Sequence, residues 1–389
     1  MNSEPANATL SRLKALLGPK GFSDDAHDLA PWLTDWRGLF HGAAQALLSP
    51  VTVEEVSAIV SLAREAGMPI VPQGGNTGMV GGATPSPEGN ALLLSLRRMN
   101  RIRSIDAISG IAVAEAGVIL SNLHDAALEK GRRFPLSLGA KGSATIGGLV
   151  STNAGGTQVL RFGTMRKLVL GLEAVLPDGS IHDGLAALKK DNRGYDLTQL
   201  LIGAEGTLGV VTAASLKLVP AIGDRAVGWI GVESPQAALR LLRWLETRTG
   251  EAIESFEVMP RATLNLVLKH VPGTRAPLES SPAWNVLVEH VSAGGSRAAL
   301  EDLLGGALGE GLAQDAVVSA SEAQAEAFWR LRDSISEAER ASGPAIQHDI
   351  SVPVDAMPDF MESAVAKVEA AYPGFSAAAF GHLGDGNVH

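Results

Sequence analysis

Glycine is concentrated in three segments of this chain, and each of them adjoins a run of apolar residues typical of a strand. The first segment, 73–83, has five glycines in eleven residues, and the others lie within 138–163 and 191–211. Glycine lets a backbone approach a ligand closely and adopt positive φ, so that its N–H groups can surround a phosphate. The first segment has neither the Gly-Lys-Ser/Thr of a Walker loop nor a dinucleotide fingerprint that leads into a helix. Three such segments together predict an extended cofactor held mainly by backbone atoms.

The composition excludes several classes of protein. With 389 residues, of which 46% are hydrophobic and 19% charged, the chain is long enough for two globular domains. Its net charge of −10 disfavours nucleic acid as a partner, and the absence of cysteine excludes disulfides and thiolate-bound metals. No window has the roughly 20 uninterrupted apolar residues of a membrane span, and the N-terminus lacks the apolar core of a secretory signal. We therefore expect a cytoplasmic protein.

Local patterns predict a mixture of helices and strands, and thus the α+β class. A capping-box pattern at Thr52 and Glu55 starts a helix that Gly67 ends. Strands are expected at 68–72, 91–96, 111–116, 170–176, 208–219, 253–258, 284–291, 345–352 and 375–380. Further helices are expected at 121–130, 234–249, 295–308, 321–341 and 355–371. We expect an N-terminal helical segment at 1–40, a first domain at 41–220 and a second domain at 221–389.

The final eight residues contain two histidines, His382 and His389, around a Gly-Asp-Gly-Asn turn. On a helix, residues seven apart would lie about 10 Å apart, which is too far to share a metal ion. Gly384 and Gly386 favour a tight reversal instead, and a reversal can bring both imidazoles to one metal. The alternative is a glycine-rich hairpin with two ordinary histidines. Two ligands are too few for a stable site, so we expect either a further ligand upstream or a longer natural protein, and we favour the longer protein.

A second candidate site lies on the predicted helix around residues 328–336. Arg332 and Ser336 are one turn apart on a common face, and an arginine fork beside a hydroxyl suits a carboxylate. On spacing alone, a solvated helix face with i,i+4 charge pairs is the favoured interpretation.

The glycine-rich motifs resemble those of FAD-linked oxidases of the vanillyl-alcohol-oxidase type, in particular the D-2-hydroxy acid dehydrogenases. The resemblance extends from about Trp32 to His389 and implies an FAD-binding domain followed by an α+β substrate domain with an antiparallel sheet. It also implies that FAD is bound non-covalently, because the first loop has Asn76 and no histidine or cysteine where some relatives attach flavin. The FAD-binding residues that it implies are Pro72, Gly74, Gly75, Asn76, Thr77, Gly78, Gly82, Gly139, Ser143, Thr145, Gly148, Asn153, Glu205, Gly206 and Val211.

The same resemblance assigns roles in the second domain. Arg332 and Ser336 would bind the substrate carboxylate, and His382 and His389 would bind zinc, while the family's third zinc ligand and its general base would lie beyond residue 389. This sequence departs from the family at Gln347, where a lysine is expected. A neutral amide can hydrogen-bond a carboxylate but cannot balance its charge, so the substrate or its affinity is expected to differ.

The expected function is FAD-dependent, zinc-assisted oxidation of a D-2-hydroxy acid, with D-2-hydroxyglutarate as the first candidate. D-lactate or another short D-2-hydroxy acid is the alternative, and Gln347 favours it because a monocarboxylate needs fewer cations. A catalytically silent FAD-binding protein is a third hypothesis. A UDP-sugar reductase is disfavoured, because the histidine turn and the Arg332 helix would have no purpose. The electron acceptor is unknown, and a homodimer is possible.

Overall fold

The structure is a computed structural model that describes residues 4–188, 190–221 and 223–389. The chain separates into two units by its internal contacts. The first unit is Met1–Gly156 with Gly163–Ala221, and the second is Thr157–Phe162 with Ile222–His389. The short segment 157–162 thus belongs with the second unit, although the sequence placed it inside the first domain.

The regular elements mix helices and strands along the whole chain. The helices are α1 (Glu4–Gly21), α2 (Ala26–Leu29), α3 (Val53–Ala66), α4 (Leu120–Leu128), α5 (Ile146–Ser151), α6 (Val159–Phe162), α7 (Met165–Leu168), α8 (Leu197–Leu201), α9 (Pro235–Thr249), α10 (Arg261–His270), α11 (Ser296–Gly309), α12 (Glu322–Asp333), α13 (Ile335–Ser342) and α14 (Met357–Ala371). Short 3₁₀ helices occur at Ala30–Trp32 and Gly250–Ala252. The strands are β1 (Phe22–Ser23), β2 (Ala44–Leu48), β3 (Ile70–Gln73), β4 (Ala91–Ser95), β5 (Ile102–Asp106), β6 (Ile111–Glu115), β7 (Arg132–Arg133), β8 (Val169–Val175), β9 (Ile181–Gly184), β10 (Val210–Lys217), β11 (Val219–Pro220), β12 (Asp224–Val232), β13 (Ile253–Pro260), β14 (Trp284–Ser292), β15 (Asp315–Val318), β16 (Ile350–Ser351), β17 (Gly381–His382) and β18 (Asn387–Val388).

The first unit is built on two main sheets. One has the order β1-β2-β4-β3, in which β2 and β3 run parallel to β4. The other has the order β5-β6-β10-β8-β9 and is antiparallel throughout. Helix α3 begins as the sequence predicts, because the Thr52 side chain accepts a hydrogen bond from the Glu55 amide, and Gly67 ends it with φ of 64°. Its buried face packs with β2 and β4 into one apolar core.

The second unit is a seven-stranded antiparallel sheet with the order β15-β12-β14-β13-β17-β18-β16. Both faces of the sheet are covered. Along β12, Ile230 packs with α9, α11 and α14, while its neighbour Trp229 packs with α10, α12 and α13. Successive strand residues point to opposite faces, so a strand covered on both sides has almost no exposed position. The predicted α+β class with an antiparallel second sheet is confirmed.

Three sequence predictions about elements in the second unit are wrong. The helix expected over 321–341 is two helices, α12 and α13, which meet at Ser334 with φ of −83° and ψ of 1°. Of the strand expected at 345–352, only β16 forms. The strand expected at 375–380 is irregular, and its three consecutive alanines have little β preference.

The segment 157–162, which contains α6, is fixed within the second unit by polar contacts to β13. The Ser255 hydroxyl donates to the Thr157 carbonyl over 2.7 Å, and the Arg161 guanidinium donates to the buried Glu254 carboxylate over 2.5 Å. Among the described helices, none has the length and apolar character needed to cross a bilayer.

Candidate functional site

A cavity in the first unit is lined by residues of all three glycine-rich segments. The lining residues of these segments come from the end of β3 and the loop after it, from α5 and the residue before it, and from the loop that leads into β10. The predicted FAD-binding residues that line the cavity are Pro72, Gly74, Gly82, Thr145, Gly148, Glu205, Gly206 and Val211. The other predicted residues lie in the same segments but outside this lining, and they are Gly75, Asn76, Thr77, Gly78, Gly139, Ser143 and Asn153.

Several glycines are required because the loops pack against one another. A Cβ atom at Gly75 would lie 1.9 Å from the Ser143 carbonyl oxygen, and one at Gly74 would lie 2.4 Å from the Thr145 hydroxyl. A Cβ atom at Gly206 would lie 2.5 Å from Pro72. The sequence pattern indicates only that these glycines allow close approach of a cofactor, whereas the structure shows that they also let the three segments pack closely against one another.

Each glycine-rich segment also contains one non-glycine residue with positive φ. These are Asn76 at 52°, Asn153 at 50° and Glu205 at 49°. Such a conformation is costly for a residue with a Cβ atom and is found most often at functional sites. The Asn76 side chain donates to the Thr34 carbonyl, and that of Asn153 accepts from the Arg166 amide. At the two asparagines, the strained backbone is therefore held in place by side-chain hydrogen bonds.

The residues of this site fit an extended cofactor. Among the described residues other than the chain neighbours, no atom lies within 4 Å of a Cβ position at Gly78 or Gly139, which leaves the backbone open to a ligand there. Gln73 lines the cavity, and its buried Oε1 atom has no hydrogen-bond partner among the described residues. Its Nε2 atom donates to the carbonyls of Trp32 and Ala83 and so closes the first loop. Gln73 is not among the residues predicted from the sequence, although a polar residue at the end of an apolar strand could have indicated it.

In the second unit, His382 and His389 meet as the predicted reversal requires. Strands β17 and β18 form a hairpin in which Gly386 has φ of 81°. The two Nε2 atoms lie 3.4 Å apart. Two nitrogen ligands of a tetrahedral zinc ion, each about 2.1 Å from the metal, are separated by about 3.4 Å. The pair thus fits as two ligands of one metal ion.

Glu257 on β13 connects this pair to Arg332. Its Oε1 atom lies 2.5 Å from His382 Nδ1, and its Oε2 atom accepts from Arg332 Nε over 2.8 Å. Arg332 Nη2 in turn lies 3.4 Å from His382 Nε2. The Glu257 side chain is 2% exposed. Glu257 is not among the residues predicted from the sequence, although a glutamate inside an apolar strand indicates a buried charge that needs a partner.

Glu257, Arg332, His382 and His389 form a charged cluster, and the charges in it shift the pKa values of the glutamate and the two histidines. Burial by itself would raise the pKa of Glu257, but the adjacent His382 and Arg332 outweigh burial and hold it at about 2. Burial opposes protonation of His382, and the Glu257 carboxylate overcomes this effect and raises the pKa of that histidine. Burial, together with the nearby Arg332 and His382, lowers the pKa of His389 to about 4.

The other predicted site residues of the second unit are Ser336 and Gln347. The break at Ser334 means that Arg332 and Ser336 do not share one continuous helix face, because Arg332 belongs to α12 and Ser336 to α13. The Gln347 side chain donates to the Glu339 carboxylate over 2.7 Å. No group of three or more histidine, aspartate or glutamate residues within 4–188, 190–221 and 223–389 is arranged to hold a metal ion.

Comparison with known proteins places this chain in a family. A family described as an FAD binding domain matches residues 44–184, and one described as the C-terminal domain of FAD linked oxidases matches residues 223–389. The mitochondrial D-2-hydroxyglutarate dehydrogenase of Arabidopsis thaliana is 38% identical over 98% of this chain and 67% of its own length. The chain belongs to the FAD-linked oxidase family. It is an FAD-dependent dehydrogenase, and the predicted resemblance to D-2-hydroxy acid dehydrogenases is confirmed.

Other relatives of this FAD-linked oxidase carry related names. The mitochondrial D-2-hydroxyglutarate dehydrogenase of Bos taurus is 40% identical over 94% of this chain and 66% of its own length. The provisionally named mitochondrial D-lactate dehydrogenase of Schizosaccharomyces pombe is 35% identical over 100% of this chain and 78% of its own length. Because these names refer to mitochondria, the cytoplasmic location stays a prediction.

Solved structures support the fold. p-Cresol methylhydroxylase has a TM-score of 0.76 and 16% identity, over 100% of this chain and 83% of that one. An alkyldihydroxyacetonephosphate synthase has a TM-score of 0.74 and 16% identity, over 98% of this chain and 79% of that one. At this identity the likeness concerns the fold alone, and the predicted vanillyl-alcohol-oxidase type is confirmed.

Proposed function

We propose that this dehydrogenase oxidises a D-2-hydroxy acid to the 2-oxo acid, with D-2-hydroxyglutarate as the first candidate substrate. The observation that carries the proposal is the 3.4 Å separation of Arg332 Nη2 and His382 Nε2. A 2-hydroxy acid has its carboxylate and hydroxyl group on neighbouring carbons. A site for it therefore needs a carboxylate-binding cation directly beside the group that handles the hydroxyl oxygen, and this arrangement is what the cluster offers.

Arg332 has the chemistry to bind the carboxylate. Its side chain is 13% exposed, and Nε is already held by Glu257. The outer guanidinium nitrogens remain for a two-point contact with a carboxylate, which fixes the orientation of the substrate as well as its position. Ser336, one residue into α13, is proposed as a second contact to the same group.

FAD is the redox cofactor, and when bound it supplies the acceptor for the hydride. We propose that the three glycine-rich segments hold it, since their open glycines and strained residues fit close backbone approach. We also propose that the attachment is non-covalent, because the first loop, 73–83, contains neither histidine nor cysteine.

We further propose that His382 and His389 are two ligands of a zinc ion. A divalent metal supplies a Lewis acid for a substrate hydroxyl. The 3.4 Å separation of the Nε2 atoms and the carboxylate on His382 Nδ1 both support the assignment, since a metal-bound histidine commonly donates its other nitrogen to a carboxylate. Catalytic zinc sites commonly have three protein ligands, so two histidines make only part of such a site.

D-lactate or another short D-2-hydroxy acid is the second candidate substrate. The Gln347 amide is neutral, and its Nε2 atom is engaged by the Glu339 carboxylate. This position therefore offers no positive charge to a second carboxylate, a feature that suits a monocarboxylate.

Anaerobic bleaching of the flavin tests the proposed function. Wild-type holoenzyme with added zinc is mixed with D-2-hydroxyglutarate, D-lactate, D-malate and their L-isomers, and absorbance near the flavin maximum is followed. We expect bleaching by one or more D-acids and none by the L-isomers. R332Q should raise the KM for the reactive acid, and R330Q, which removes a neighbouring helix arginine bonded to the Pro272 carbonyl, should not. Absence of bleaching by every D-acid, with FAD bound, would overturn the proposal in favour of a silent flavoprotein.

We propose that a separate electron acceptor reoxidises the enzyme, and the rate of reoxidation by candidate quinones and flavoproteins tests this proposal. We also propose that the protein forms a homodimer, and light scattering of the purified protein tests this assembly.

A further inference from the structure

We infer that Glu257 is a positioning residue that orients His382 for metal binding and Arg332 for substrate binding at the same time. This inference rests on the proposed function, and it concerns a residue that the proposed function does not itself require. Glu257 lies on β13 next to β17, and Glu257 and His382 are direct partners in the ladder between these strands. The contact is therefore set by strand register as well as by side-chain preference.

The first role concerns the tautomer of His382. With Nδ1 donating to Glu257 Oε1 over 2.5 Å, a neutral imidazole has its lone pair on Nε2, the atom that lies 3.4 Å from His389 Nε2. Without the carboxylate, the ring is free to place its proton on Nε2 or to rotate. Partners that fix a metal-binding histidine in this way are typically worth 10- to 100-fold in metal affinity.

The second role concerns Arg332. The other oxygen of the same carboxylate accepts from Nε over 2.8 Å, which restrains the long side chain and directs Nη2 towards His382. Glu257 is 2% exposed and so has little water to compete for these contacts. Since one carboxylate serves both partners through separate oxygens, an amide cannot replace it, because its NH₂ group accepts from neither donor.

The test compares E257Q and E257D with E254Q. Glu254 is a matched control: it lies on the same strand, is fully buried, and pairs with Arg161 and Gln158 instead of His382 or Arg332. Zinc affinity is measured by calorimetric titration of metal-free holoenzyme that retains FAD. E257D keeps the charge but shortens the side chain, so it tests the inference even where E257Q fails to fold. Thermal melts and flavin absorbance establish that each variant is folded.

We expect the zinc Kd to rise about 10- to 100-fold in E257Q and E257D and to stay within about twofold in E254Q. At saturating zinc, the KM for the reactive acid should rise in both Glu257 variants more than kcat falls. Wild-type zinc affinity in both variants would overturn the metal role, and an unchanged KM would overturn the role at Arg332. If the wild type binds no zinc yet bleaches with a D-acid, the zinc assignment and the metal role fail together while the dehydrogenase proposal stands.

Discussion

At the scale of single residues, the protein depends on buried charges that have specific partners. Glu257 is inserted between Arg332 and His382, and Glu254 three residues earlier holds Arg161. Removing one member of such a buried pair typically costs about 3–5 kcal/mol, because an uncompensated charge remains. The stability of the second unit is therefore expected to decrease on substitutions that conserve size but remove charge at these positions.

Replacing His382 with alanine tests the proposed metal ligand. We expect H382A to lose zinc binding and to lower turnover by at least about 100-fold, the scale typical of losing one preorganised contact to a reacting oxygen. FAD should remain bound, because the residues that line the proposed FAD cavity lie in the first unit. The measurements are metal content, turnover and flavin absorbance, with H270A on α10 as the control. Unchanged turnover in H382A would contradict the role of zinc.

We expect folding stability to depend on pH because of the buried His290. It is 5% exposed, and its pKa is lowered from 6.5 mainly by burial, while Asp224 opposes this shift. Below pH 6.5 the unfolded chain binds a proton at this residue that the folded chain resists, so stability decreases as pH falls. One such proton contributes at most about 1.4 kcal/mol per pH unit.

Urea unfolding at pH 7.5 and 5.5 measures this effect. H290Q should lose less free energy of unfolding between these two pH values than the wild type does. H27Q, at an exposed histidine of the first unit, should behave as the wild type. Equal losses in the wild type and H290Q would show that His290 does not contribute.

At the scale of elements, glycine determines where loops and strands can meet. The first glycine-rich loop packs onto the second through Gly75, and the β17–β18 hairpin packs onto Val352 through Gly386. In both places a backbone carbonyl occupies the volume that a side chain would need. These positions can therefore be tested by adding a single methyl group.

G75A should displace the first loop from the second, because its Cβ atom would lie 1.9 Å from the Ser143 carbonyl oxygen. We expect a loss of about 1–3 kcal/mol in stability, typical of overpacking, and a lower ratio of FAD to protein. G305A on α11 is the control, because Gly305 lies outside the glycine-rich segments and its Cβ position is open among the described residues. Full flavin content together with a wild-type melting temperature in G75A would contradict this packing role.

G386A should distort the hairpin that carries both histidines. Its φ of 81° is unfavourable for alanine by roughly 1–2 kcal/mol, and its Cβ atom would lie 2.0 Å from the Val352 carbonyl oxygen. We expect weaker zinc binding with FAD content unchanged, measured by titration and absorbance. G294A serves as the control because its Cβ position is open. Zinc affinity equal to that of the wild type in G386A would show that the hairpin tolerates the change.

At the scale of the whole molecule, the proposed FAD site and the proposed metal site lie in different units. The residues that line the cavity belong to the first unit, and His382 and His389 belong to the second. Ligand binding to one unit stabilises that unit by mass action, by about 2.7 kcal/mol when the ligand is at 100 times its Kd. FAD is therefore expected to raise the melting temperature of the first unit, and zinc is expected to raise that of the second.

The mode of FAD attachment is a prediction at this scale. Because the first loop lacks histidine and cysteine, we expect acid precipitation to release all of the flavin into the supernatant. Fluorescence of the supernatant and of a denaturing gel measures the two fractions. Flavin fluorescence that stays with the denatured polypeptide would contradict non-covalent binding.

Much of the fold could be predicted because its signals are local. The cap at Thr52 and the end at Gly67 bound α3 as predicted, and β4, β6, β8 and β14 lie within about two residues of their predicted limits. The prediction failed where local preference is weak, as at the break at Ser334 and in the irregular stretch at 375–380. The strands β2, β12 and β15 were missed, because their pairing with distant strands sets their limits.

The sequence by itself determined the family, the cofactor and the reversal that joins His382 to His389, since glycine spacing and turn residues act over a few positions. Only the tertiary structure decided that Glu257 serves both His382 and Arg332, because strand register between β13 and β17 brings together residues 125 positions apart. It also decided that Gly75 and Gly206 serve loop packing, since a carbonyl or a proline ring from a distant segment fills the space beside them. Contacts of this kind depend on the shape of the folded chain, and no local sequence pattern predicts them.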